Sequence, residues 1–152
     1  MENIKLGLVV AEFNEKITSV MLTEALQHAK KVGCTITFVC KVPGSFDTPL
    51  MVKSLLEKKE VDAVATLGAI LKGDTLHDEV IANVLSEKLA ELSLRYDKPV
   101  SLGISGPGMT WDQGSKRAKE YSRRAIEAAM KMTTRTQAVK DIRPKKYPVL
   151  IK

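Results

Sequence analysis

Four stretches of this chain are apolar at nearly every position, and a segment with helical spacing follows each of them. The stretches are IKLGLVV (4–10), ITFVCKV (36–42), VDAVATLG (61–68) and KPVSLGI (98–104). A strand with one wet face alternates apolar and polar residues. A strand without that alternation is covered on both faces. After the first run, Ile17, Val20, Met21, Ala25 and Val32 keep helical spacing. After the second, Thr48-Pro49 reads as an N-cap and first helical residue, with Leu50, Val52, Leu55 and Leu56 on the apolar side. A third helix is predicted from His77 to about Arg95, presenting Val80, Ile81, Val84, Leu85, Leu89 and Leu92. A fourth opens at the capping box Thr110-Trp-Asp-Gln113 and runs to about Met132. Alternating strands and helices predict an α/β chain: a three-layer α/β/α sandwich on a four-stranded parallel sheet with right-handed crossovers.

Length fits that plan as one domain, residues 1–132, followed by a basic and mostly irregular tail, 133–152. Arg143-Pro144 and Tyr147-Pro148 break helical logic in the tail. The tail also carries a net +5 of the chain's formal +6, so the body is almost neutral. With no aromatic-rich strand to read bases, that distribution argues against nucleic-acid binding. No apolar run is long enough for a membrane span, and MENIKLGLVV lacks the basic start of a secretory signal, so a cytoplasmic protein is expected. Cys34 and Cys40 lie in one strand and its approach, about 20 Å apart when extended. A disulfide needs Cα atoms about 4–7 Å apart, so two free, buried thiols are expected.

Ligands of parallel α/β sheets bind beyond the carboxyl ends of the strands. Here those ends lead into four loops: AEFNEK (11–16), VPGSFDTP (42–49), LGAILKGDTLH (67–77) and ISGPGMT (104–110). Phe13 and Phe46, two of only three phenylalanines, lie in the first two. A loop Phe often plugs the end of a core, but two on one rim suit a flat heterocycle. Gly73-Asp74-Thr75 stands just before a helix, where free backbone N–H groups suit an anion; a plain helix cap by Asp74 or Thr75 is an equal reading. His77, at the end of this loop, can take and give a proton near neutral pH, and with no Ser or Cys nucleophile beside it the indicated work is acid–base chemistry. His28 sits mid-helix without such a setting. One usable His, with neither HxH nor HxxxH, makes no metal site. GxGxxG and GxxxxGK[ST] are both absent, and Gly106-Pro107-Gly108 is too short for a dinucleotide loop.

The segments VVAEFN, VPGSFDTPL, DAVATLGAILKGDTLHDEV and GISGPGMT…KRA, in this order and one per loop, resemble the 6,7-dimethyl-8-ribityllumazine synthases, in particular the archaeal form. The resemblance covers about residues 4–132. It implies a flavodoxin-like sheet of order 2-1-3-4. The activity it implies is condensation of 5-amino-6-(D-ribitylamino)uracil with 3,4-dihydroxy-2-butanone 4-phosphate in riboflavin biosynthesis, without metal or cofactor. By the same resemblance Phe13 stacks on the pyrimidine with Asn14 beside it. Ser45, Phe46 and Asp47 take the ribityl chain, and the main chain of Ala69, Ile70 and Leu71 reads the uracil edge. Gly73, Asp74 and Thr75 form the phosphate loop, His77 transfers protons, and Arg117 holds phosphate with its guanidinium fork.

The chain departs from the family at Asp47, where Glu is usual, at Leu102, where Phe is common, and at Leu76, where Thr or Pro is common. The family assembles as pentamers, some of them building sixty-subunit shells, and riboflavin synthase is the implied protein partner. Leu102 and Arg117 would then come from a neighbouring subunit. Two other readings compete. One is archaeal-type riboflavin synthase, which lacks a histidine at the third-loop position; the other is a non-catalytic flavin-binding or shell-forming relative, against which intact Phe13, Phe46, His77 and Arg117 count.

Overall fold

The computed structural model describes residues 3–152. Along the chain run β1 (Lys5–Ala11), α1 (Glu15–Val32), β2 (Thr35–Val42), a 3-10 turn (Ser45–Asp47), α2 (Thr48–Leu56), β3 (Ala63–Leu71), α3 (His77–Tyr96), β4 (Val100–Met109) and α4 (Trp111–Asp141). All pairings are parallel and the sheet order is β2-β1-β3-β4, the flavodoxin-like arrangement the resemblance implied.

The two central strands explain the unbroken apolar runs. On one face, Leu6, Leu8 and Val10 of β1 and Ala63, Ala65, Leu67 and Ala69 of β3 pack against Ile17, Met21 and Ala25 of α1 and Ala118, Ala125 and Ile126 of α4. On the other, Val9, Ala11, Val64 and Ile70 meet Val52 and Leu55 of α2 and Ala82, Leu85 and Leu89 of α3. Removing both faces from water is the main drive for the fold, at about 1.5–3 kcal/mol for each fully buried large side chain. At Gly103 a Cβ would lie 2.4 Å from the Thr66 carbonyl oxygen and 2.7 Å from Cβ of Ala125, so glycine there lets α4 lie close on the sheet. α1 and α4 are also joined across their polar edges by His28–Glu127 at 3.0 Å and Arg123–Glu24 at 2.5 Å. The His28 hydrogen bond is the main reason the Glu127 carboxyl sits below the usual carboxylate range. His28 is therefore a structural strut.

The capping box at the start of α4 is present in both halves: Gln113 N–H donates to Thr110 Oγ1 at 3.2 Å, and Thr110 N–H donates to Gln113 Oε1 at 3.0 Å. Cys34 and Cys40 are free, and burial raises both thiols.

Three sequence expectations are corrected. α4 does not stop near Met132 but continues to Asp141, so the irregular segment begins only at Ile142. Within this extension two threonine hydroxyls donate back to the preceding turn, Thr133 to the Ala129 carbonyl at 2.8 Å and Thr136 to that of Met132 at 2.7 Å. A side-chain bond from Lys140 to Asp97 ties this extension to the end of α3. Second, most of 104–110 is strand rather than loop. Ala69 pairs with Ser105 and Leu71 with Met109, so residues 106–108 stand opposite Ile70 alone, as a bulge. Gly106 at φ 107° and Gly108 at φ 72° supply its left-handed backbone. Third, Leu50, Val80 and Val84, expected on core faces, are exposed on α2 and α3.

Candidate active site

The carboxyl ends of β1, β2 and β3 open into a cavity of about 460 Å³, within the range of ordinary ligand pockets. The ends of β1 and β2 stay paired past the strands proper. Glu12 N–H donates to the Val42 carbonyl at 2.8 Å and Phe13 N–H to that of Pro43 at 3.0 Å, which sets Phe13 on the rim. Asn14 follows in the left-handed region (φ 61°), a conformation asparagine tolerates. Its Nδ2 reaches across to the Ala69 carbonyl at 2.8 Å, tying the first loop to the end of β3.

The 3-10 turn builds the second wall. Asp47 Oδ2 accepts from Gly44 N–H at 2.9 Å, and Thr48 Oγ1 donates to the Ser45 carbonyl at 2.7 Å. Those bonds turn Phe46 outward and Ser45 inward. A Cβ at Gly68 would lie 2.7 Å from Ser45 Oγ, so the glycine in β3 is what admits Ser45 to the floor of the site. Phe13 is 73% exposed and Phe46 61% exposed, so neither is a core plug. Two bare aromatic rings at the mouth of one cavity are available for stacking.

The third wall is the end of β3 with the start of α3. Ala69, Ile70, Leu71, Gly73, Thr75 and His77 all line the cavity. Thr75 Oγ1 accepts from the His77 backbone N–H at 3.3 Å and Thr75 lines the cavity, while the N-cap position itself is Leu76, which neither Asp74 nor Thr75 replaces. Nothing lies within 4 Å of where a Cβ would stand at Gly73. Asp74 is exposed and outside the lining.

Of the residues singled out by sequence, the structure brings together Phe13, Asn14, Ser45, Phe46, Ala69, Ile70, Leu71, Gly73, Thr75 and His77. Asp47 does not line the cavity; its carboxylate accepts from Gly44, which does. Leu102, 51% exposed on the outer strand β4, and Arg117, exposed on α4, do not line the cavity of a single chain. Sequence reasoning missed Gly44, Asp78 and Ile81, which do line it. Ile81 lies one helical turn after His77 and was expected in the core. Asp78 sits beside His77, and nothing in its spacing separated it from a solvated helix start.

A second opening of about 500 Å³ lies between α2 and α3, lined by Lys53, Lys88, Glu91, Leu92 and Arg95 among others. Lys53 is paired with Glu57 and Lys88 with Glu91, so two of its three cations are engaged. Among the described residues, no group of three or more His, Cys, Asp or Glu is placed to hold a metal ion.

Comparison with known proteins agrees with the geometry. The family profile of 6,7-dimethyl-8-ribityllumazine synthase matches residues 3–137. A 6,7-dimethyl-8-ribityllumazine synthase of Saccharolobus islandicus is 49% identical over 150 residues, covering 99% of this chain and 97% of that protein. Proteins of the same name from Metallosphaera sedula and Sulfolobus acidocaldarius are 53% and 50% identical, over 90% and 91% of this chain and 91% and 88% of theirs. With its fold, its rim of strand-end loops and its full-length relatives in accord, the chain belongs to the 6,7-dimethyl-8-ribityllumazine synthase family.

Proposed function

We infer that this chain condenses 5-amino-6-(D-ribitylamino)uracil with 3,4-dihydroxy-2-butanone 4-phosphate, releasing phosphate and water and forming 6,7-dimethyl-8-ribityllumazine for riboflavin biosynthesis. The observation that carries this reading is the convergence of Phe13, Phe46 and His77 on one cavity in a chain matched by the family from residue 3 to 137. The diaminouracil supplies its own nucleophile, so the protein need not. Its main task is to hold two reactants in register, which can account for most of the acceleration.

In this reading Phe13 stacks on the pyrimidine, and Asn14 stiffens the wall beside it through Ala69. The main chain of Ala69, Ile70 and Leu71 reads the uracil edge. Ser45 and Phe46 meet the ribityl chain, with Asp47 shaping their turn. Gly73, Asp74 and Thr75 receive the phosphate at the start of α3, where free amides favour an anion. His77 helps the amine add to the ketone, assists loss of water, and then assists expulsion of phosphate from the resulting imine.

Arg117 and Leu102 lie outside the cavity of their own chain, and we assign them to the site of a neighbouring subunit in a closed ring, of pentamers or of a shell built from them. Exposed Leu50, Val80, Val84 and Leu102 are the apolar surface such an assembly would cover. We place the protein in the cytoplasm, in keeping with its two free thiols, with riboflavin synthase as its protein partner. No helix among the described residues is long and apolar enough to cross a membrane.

The test is direct. Purified protein mixed with both substrates should develop the absorbance of the lumazine chromophore. Failure to do so, in protein that still binds a pyrimidine analogue, would leave a binding protein and overturn the enzymatic reading.

A further inference from the structure

Among the described residues Asp78 is the one acidic residue that lines the cavity, and it is buried, with 7% of its surface exposed. Among the described residues it has no cationic partner. Its Oδ2 accepts a hydrogen bond from Gly108 N–H at 2.8 Å. A carboxylate withdrawn from water without a counter-ion is costly unless its surroundings compensate. Two features do so here: the Gly108 amide, and the position in the first turn of α3, where the helix dipole favours negative charge.

The donor is itself informative. Gly108 belongs to the bulge in which residues 106–108 face only Ile70. Gly108 is itself exposed, so its amide could have been left to water; instead a side chain from another element, Asp78, accepts from it. The acceptor's own helix start is otherwise loosely held. The N-cap residue is Leu76, which has no side-chain cap, and apart from the Asp78 bond the only side-chain bond to the first turn among the described residues is the 3.3 Å contact from His77 N–H to Thr75. The firm polar tie between the His77-bearing turn and the rest of the molecule is therefore the bond from Gly108 to Asp78.

We propose that Asp78 is a positioning residue for His77: by accepting from the bulge of β4 it fixes the first turn of α3, and with it the place of the imidazole in the cavity. Its work is that of an acceptor at a set distance, and its charge is incidental. This rests on His77 acting in proton transfer, as proposed above. A small displacement of a group that must meet a reacting atom can cost up to about 100-fold in rate, so the effect should appear in turnover more than in substrate affinity.

The experiment compares full-length wild type, Asp78→Asn and Asp78→Ala by steady-state lumazine formation and by hydrogen exchange of segments 75–80 and 104–109. Asp78→Ala should lower kcat by about 10- to 100-fold, change KM for the pyrimidine by less than about threefold, and speed exchange in both segments. Asp78→Asn keeps an oxygen acceptor and should stay within about threefold of wild type in kcat, with exchange protected. If the Ala variant does not fold, Asp78→Ser, too short to reach Gly108, takes its place. A fall in Asp78→Asn as deep as in Asp78→Ala would mean that the charge acts, and the proposal would be wrong. Unchanged exchange in Asp78→Ala would equally overturn it. An inactive wild type would sink the enzymatic reading instead, and the exchange comparison would still decide whether Asp78 holds the two segments together.

Discussion

His77 lines the cavity, and among the described residues no hydrogen bond to its ring is found. Since the substrates carry the nucleophile, its removal should leave positioning intact. His77→Ala is expected to slow turnover by about 100-fold or less, measured in a variant with unchanged melting temperature. Complete loss of product would move the weight from positioning to proton transfer. Residues such as His77, Phe13 and Phe46 were legible in the sequence because rare residue types stood just past apolar runs. Asp78 was not, since a charged residue at a helix start looks the same whether it faces water or accepts from a strand bulge 30 residues away. Gly68 was hidden for a related reason: in a strand it reads as a weak link, and only Ser45 arriving from another loop gives it a purpose.

At the scale of elements, β1, β2 and β3 were legible to within about three residues because burial on both faces leaves a continuous apolar signature, whereas the bulged end of β4 past Ile104 read as loop. Helix faces were less so. Leu50, Val80 and Val84 satisfy an apolar spacing and yet lie exposed, because spacing reports that a face is apolar and not what covers it. The end of α4 lies beyond the expected Met132, at Asp141, just before the Arg143-Pro144 pair that does break helical logic. Its beginning was read correctly, as the reciprocal bonds of Thr110 and Gln113 make the start of α4 a local matter. Thr110→Ala removes one acceptor and should destabilise the protein by about 1 kcal/mol, measured by chemical denaturation. A loss below a few tenths would mean that packing alone starts the helix.

At the scale of the whole molecule, Leu102 and Arg117 are exposed and do not line the cavity of their own chain, and this leads to a prediction about mixtures. If the site is shared, His77→Ala and Arg117→Ala co-expressed in equal amounts should restore wild-type chemistry at about a quarter of sites, since a heterologous ring gives each site two donors. Activity no higher than the mean of the separate variants, in assemblies shown to contain both chains, would place both residues in one subunit's site. The basic segment from Ile142 onward lies beyond the stretch matched by the family, 3–137. Deleting 142–152 should leave lumazine formation within about twofold while reducing salt-sensitive association, because exposed charge acts through screened fields. Activity lost in a folded, assembled truncation would bring the tail into the site. The extended α4 has a mechanical consequence as well. Near its His77 end α3 is held by Asp78 to the β4 bulge, and at its far end by Lys140 to Asp97 and by Tyr96 to Glu57 of the region just after α2. α3 is thus tied to neighbouring elements at both ends. Across the mouth, the short Ser45–Asp47 turn that carries Phe46 is held, among the described residues, by polar side-chain bonds only to Gly44 and within itself and α2, so faster hydrogen exchange is expected there than along α3.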